Sequence, residues 1–184
     1  MRPASRNREE LQMPATSKRI LLIDGAHCDR LRKVLDTAID FAALLAFLSK
    51  SGTIAVAHYH RDLRDTEEAH RQSRFLEWLS RHGFEVVGDD YSGADDLPKE
   101  RYGTNLVGLA VDALEVTNPG DEILLVAGDV KLVPLVAELV ERGATVTLVS
   151  TLRGPPSISP HELLVSECSG LIDLHDHREA IARA

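Results

Sequence analysis

Two aspartates in this 184-residue chain stand just past runs of apolar residues. Asp24 closes Arg19-Ile-Leu-Leu-Ile-Asp24, and Asp129 follows Glu122-Ile-Leu-Leu-Val-Ala-Gly128. Each carboxylate therefore sits where the chain leaves a buried strand. One such aspartate commonly caps a helix or closes a turn. Two at the same edge of a sheet can hold a hard divalent cation between their oxygens. A third candidate is Asp112, surrounded by Leu109, Ala110, Val111, Ala113 and Leu114. A carboxylate among apolar neighbours is costly unless it finds a partner, such as an arginine or a backbone group, or faces a cleft. Asn105 lies about two helical turns earlier and falls on the same helix face. Three converging carboxylates repel one another and require a cation or a proton between them. Mg²⁺ or Mn²⁺ suits such oxygens and keeps bound waters, one of which can attack a phosphodiester.

The elements that must position these residues alternate between strand and helix. Short apolar runs at 19–24, 53–60, 84–87, 122–127 and 144–150 read as strands, with a sixth at 171–174. Helices are expected over 37–50, 63–82, 105–116, 130–142 and 159–169, the last opening on a Ser159-Pro160 capping box with Glu162. Single helices between strands require a mainly parallel sheet with right-handed crossovers. The fold class is thus α/β, a three-layer α/β/α sandwich on five to six strands. Ligands of such sheets bind beyond the carboxyl ends of the strands. Residues 1–17 are expected as a flexible polar tail, 18–176 as one domain and 177–184 as a fraying polar end. The stretch 88–103, with Asp89, Asp90, Asp95 and Asp96, is the longest irregular segment and reads as a solvated acidic loop.

The net charge of −8 argues against a protein that coats nucleic acid by charge alone. It is compatible with a carboxylate pocket ringed by a local basic rim. No apolar run is long enough to span a bilayer. Arg2, Arg6 and Arg8 precede no apolar stretch, so no secretory signal is expected. Cys28 and Cys168 form no CxxC pair, which points to reduced thiols and a cytoplasmic chain.

Several segments in order resemble the NYN domain, in its LabA-like group within the PIN-like nuclease superfamily. They are Ile20-Leu-Leu-Ile-Asp-Gly-Ala-His27, Phe75 to Val86, Gly103-Thr-Asn-Leu-Val-Gly-Leu-Ala-Val-Asp112, Leu125-Val-Ala-Gly-Asp-Val-Lys131 and the closing 163–174. The resemblance implies a PIN-like fold and cleavage of RNA, single-stranded in particular, with Mg²⁺ or Mn²⁺. Asp24, Asp112 and Asp129 match the family's acidic positions and would be both metal ligands and catalytic residues. The departures are His27 for the usual Asn, Asn105 for Asp, and Lys131 for the last Asp of the fourth-strand motif. Lys131, if turned inward, would neutralise a carboxylate and weaken the cation's hold. Asn105 and Lys131 would line the catalytic site, and His27 would bind substrate or add a nitrogen ligand. The competing reading is a module that has lost cleavage and binds RNA or a protein partner in a regulatory role. PIN-like domains often dimerise, and the apolar helix near Phe41 is a candidate surface for a homodimer.

The remaining candidates are weaker. His58 and His60 share one face of their strand and, with Arg61 and Arg64, would form a basic rim for substrate. Cys28 beside His27 lacks the third member of a nucleophilic triad. No glycine-rich phosphate loop is present.

Overall fold

The computed structural model describes residues 17–63, 65–88 and 103–183. The amino-terminal tail, Arg64 and the acidic stretch 89–102 lie outside them. Six parallel strands, β1 (Arg19–Asp24), β2 (Ile54–His60), β3 (Glu85–Val87), β4 (Glu122–Val126), β5 (Thr145–Ser150) and β6 (Gly170–Asp173), form one sheet in the order β3-β2-β1-β4-β5-β6. Helices α1 (Gly25–Leu35), α2 (Phe41–Leu48) and α3 (Thr66–Arg81) connect the first half. Helices α4 (Leu106–Val116), α5 (Val133–Glu141), α6 (Glu162–Glu167) and α7 (Arg178–Ile181) follow.

Alternation along β1 builds the layers. Leu21 and Ile23 pack with Leu31, Phe41, Leu44 and Leu79 on one face of the sheet. Ile20 and Leu22 pack with Leu109, Ala113, Val136 and Leu164 on the other. All four β1 residues are 0% exposed, so each contributes about 1.5–3 kcal/mol of transfer free energy. The three-layer parallel architecture expected from the sequence is the one observed.

Three elements differ from expectation. The chain after Asp24 turns at once into α1, whose buried face carries Cys28, Leu31 and Leu35 at helical spacing behind the small or polar Gly25, Ala26 and His27. Helix α6 starts late. His161 caps it, while the Ser159 hydroxyl accepts from the Gly154 amide and makes no capping box. The closing residues as far as Arg183 are packed against the domain. Ile181 is fully buried, the Ile181 carbonyl accepts from the Asp40 amide, and Ala182 bridges to Ile39. Phe41, proposed for a dimer surface, faces inward, edge-on to Tyr59.

Arg61, expected among the substrate-binding residues, is tied into the protein between two helices. It leaves the end of β2 buried, 8% exposed. Its Nη1 donates to Asp29 of α1 at 2.6 Å and its Nη2 to buried Glu68 of α3 at 2.8 Å. The guanidinium is a strut between two helices, each of its two Nη atoms held by one carboxylate. Arg61→Met would leave Glu68 buried without that charge and is expected to cost about 3–5 kcal/mol. A urea-derived unfolding free energy lowered by less than ~1 kcal/mol would contradict this role.

Candidate functional site

The strand order reverses direction between β1 and β4, and there a crevice opens at the carboxyl edge. Ile23 pairs with Val126, so Asp24 and the Ala127-Gly128-Asp129 exit leave the sheet side by side. Asp24, Arg30, Thr104, Val107, Asp129 and Lys131 are among the residues lining a pocket of about 100 Å³. Two expected carboxylates and the substituted lysine thus share one pocket.

Each carboxylate also does local work. Asp24 caps α1, its Oδ1 accepting from the His27 amide at 3.1 Å. Its Oδ2 lies 3.6 Å from Arg30 Nη2. Asp129 Oδ1 accepts from the Lys131 amide at 2.9 Å. Asp24 is 1% exposed, and burial raises its pKa. The His27 amide, the Thr104 hydroxyl and the Arg30 charge pull it back down in part. Gly25 must be glycine, since a Cβ there would stand 2.6 Å from the Tyr59 hydroxyl.

Asp112 does not line this pocket. Its Oδ2 lies 2.8 Å from His58 Nδ1 and 3.1 Å from His60 Nε2. Both imidazoles project from β2 towards α4, at 7% and 3% exposure. They are therefore partners of Asp112 and form no exposed rim for substrate. Among the described residues, His58, His60 and Asp112 are a group whose donor atoms lie within 4.8 Å of one another, close enough to share a metal ion. The expected cluster of three carboxylates is thus two carboxylates in one place and a His-His-Asp group in another.

Asn105 caps α4. Its Oδ1 accepts from the Val107 and Gly108 amides at 3.0 and 3.1 Å. It lines a separate cavity of about 290 Å³ with His60, Gly88 and Gly108. His27 is fully buried, its Nε2 2.9 Å from Ser150 Oγ, and its ring presses against Gly128, where a Cβ would meet it at 2.4 Å. His27 is not among the residues lining the pocket of Asp24 and Asp129. Burial also pushes the Cys28 thiol well above its ordinary pKa, which makes it a poor nucleophile.

Sequence reasoning missed Arg30 and Thr104. Thr104 binds the two loops together, its hydroxyl accepting from the Ala26 amide and donating to the His60 carbonyl. Arg30 reaches the pocket only because α1 starts directly at Asp24. Recognising Asp24 as a helix cap would have placed it one to two turns along the helix.

Comparison with known proteins agrees with this architecture. The NYN domain model matches residues 18–175. A crystal structure of a protein of unknown function from Vibrio parahaemolyticus superposes with a TM-score of 0.71 at 18% identity, covering 93% of this chain and 99% of that one. At that identity the likeness concerns the fold. A search of curated proteins found no match. Among the described residues no helix is long and apolar enough to cross a membrane.

The burial of His27 has a measurable consequence. Desolvation first, and the Arg30 charge second, lower its pKa to about 3. An unfolded histidine titrates near 6.5. The folded value is the lower one, so the neutral ring stabilises the protein above about pH 6.5, and that contribution is lost as pH falls towards 3. His27→Gln should reduce the acid slope of the unfolding free energy by about 1.4 kcal/mol per pH unit between pH 6 and 4. Urea-derived unfolding free energies that fall equally with pH in the two proteins would contradict it.

Proposed function

Because the chain belongs to the NYN domain family, we propose that its β1–β4 crevice binds a phosphodiester of single-stranded RNA and hydrolyses it with one divalent cation, Mg²⁺ or Mn²⁺. The observation that carries this reading is that Asp24 and Asp129 share one pocket with two cationic side chains, Arg30 and Lys131. Mg²⁺ is commonly held by one or two carboxylates together with substrate phosphates. Asp24 and Asp129 fit that requirement, with Arg30 3.6 Å from the buried Asp24 carboxylate. The cation, when bound, supplies Lewis acidity and an activated water.

The chain's own residues do the rest. Lys131 and Arg30 attract the phosphate and stabilise the charge that builds on its oxygens during displacement. Thr104 holds the start of α4 against α1 and fixes the pocket's width. The Asp129 cap sets where Lys131 begins its reach.

A second reading is binding of RNA without cleavage. Asn105, an uncharged cap where the family usually carries a carboxylate, favours it, as does the charge of Arg30 beside Asp24. One experiment separates the two. Single-stranded RNA is incubated with Mg²⁺ or Mn²⁺ and wild-type protein or Asp129→Asn. Metal-dependent cleavage lost in the variant supports hydrolysis. Bound but intact RNA at every metal concentration supports the second reading and overturns the first.

Asp24 offers an independent test. Its folded pKa is raised, so its contribution to stability is present at low pH and is lost as pH rises through that value. At pH 7 the buried charge is a burden that asparagine would remove while still capping α1. Asp24→Asn should abolish cleavage yet raise the melting temperature. A lowered melting temperature would show that Asp24 is held by its partners better than this account allows.

A further inference from the structure

We infer that His58, His60 and Asp112 form a second metal site, for Zn²⁺ or a similar borderline transition ion, apart from the pocket of Asp24 and Asp129. The alternation of β2 sends both imidazoles towards α4, and Asp112 meets them from the helix. Two imidazole nitrogens and one carboxylate oxygen form a donor set suited to Zn²⁺ and poorly suited to Mg²⁺.

The second observation is an unfulfilled nitrogen. His60 is 3% exposed, and its Nε2, although 3.1 Å from Asp112 Oδ2, lacks the geometry of a hydrogen bond and has no other partner. A buried nitrogen left without a bond is costly. A cation between it and the carboxylate would satisfy it. The donors stand 2.8 and 3.1 Å apart where ligands on one tetrahedral Zn²⁺ would stand roughly 3.3–3.4 Å apart, given its bond lengths. Each of these two separations needs to open by only a few tenths of an ångström, and all three donor atoms already lie within 4.8 Å of one another.

A third observation orients the ligand. His58 Nε2 lies 3.4 Å from the Glu85 carboxylate, on the strand position paired with His58. Metal-bound histidines characteristically direct their other ring nitrogen at a carboxylate, which fixes the tautomer and strengthens the ligand. Here Glu85 would hold the proton on Nε2 and leave Nδ1 to the metal. Three protein ligands leave a fourth position open, and His60 borders the cavity that also contains Asn105. That position would take a water or a small anionic ligand, and the ion would join β2 to α4 whether or not the neighbouring crevice cleaves RNA.

The full-length chain, stripped with chelator, is titrated with Co²⁺ as a spectroscopic stand-in and then with Zn²⁺ in competition. One equivalent of Co²⁺ should give intense tetrahedral d–d absorption that Zn²⁺ abolishes. His60→Gln and Asp112→Asn should remove the absorption, and Asp24→Asn and Asp129→Asn should keep it. Glu85→Gln, at an exposed position that leaves folding intact, should weaken binding roughly 10- to 100-fold. Circular dichroism checks that each variant is folded. The site is overturned if the wild type binds no stoichiometric Co²⁺ or Zn²⁺, if folded His60→Gln retains the absorption, or if Asp24→Asn removes it.

Discussion

The pairing of β1 with β4 is the constraint on which the rest depends, because these strands are about a hundred residues apart and their exits make the crevice. Their register is set at the amino ends. Asp121, 3% exposed, accepts from the Lys18 amide at 2.7 Å and from the Asn118 amide at 2.8 Å. Arg19 pairs with Glu122 at 2.7 Å and also donates to the carbonyls of Leu48 and Gly52. With that end fastened, the apolar residues of both strands alternate into two cores, and a slip of one residue would turn every side chain to the wrong layer. Asp24 and Asp129 then have no choice but to emerge together.

Helix α4 divides the acidic set. Its cap, Asn105, turns towards the cavity beside His60, and Asp112 turns to His58 and His60. What remains at the crevice is a pair of carboxylates balanced by a pair of cations. Such a balance disfavours holding a free divalent ion, since each added positive charge meets Lys131 and Arg30. A phosphate group changes the sum by bringing its own negative charge and oxygen ligands. In the proposed reaction the cation and the RNA therefore strengthen each other's binding, which is linkage in its simplest form.

The sheet was legible because its strands are short apolar runs and each is followed by a helical period, so Arg19–Asp24 and Glu122–Val126 stand out at once. The edge carrying the site followed from their carboxyl ends. Helix α1 was obscured because its first turn buries only Gly25, Ala26, His27 and Cys28, and the spaced Leu31 and Leu35 are separated by charged residues. With α1 went Arg30. The direction of Asp112 was equally hidden. Its sequence neighbours show that it must be satisfied, but which partner satisfies it depends on how α4 lies over β2. His58 and His60 were recognised as a pair on one strand face, yet only packing shows that they face inward to a carboxylate. Arg61 read as a surface cation because it follows a strand end; Asp29 and Glu68, which bury it, come from two different helices.

The central claim is that two carboxylates hold one cation only in company with a substrate phosphate. It is tested most directly by titrating the protein with Mg²⁺, an ion the histidine group would not favour, by calorimetry in the absence and presence of a saturating nonhydrolysable RNA analogue. The account predicts one Mg²⁺ per chain, with an affinity raised at least tenfold by the RNA, a coupling of about 1.4 kcal/mol. Equal Mg²⁺ affinity with and without RNA would contradict it.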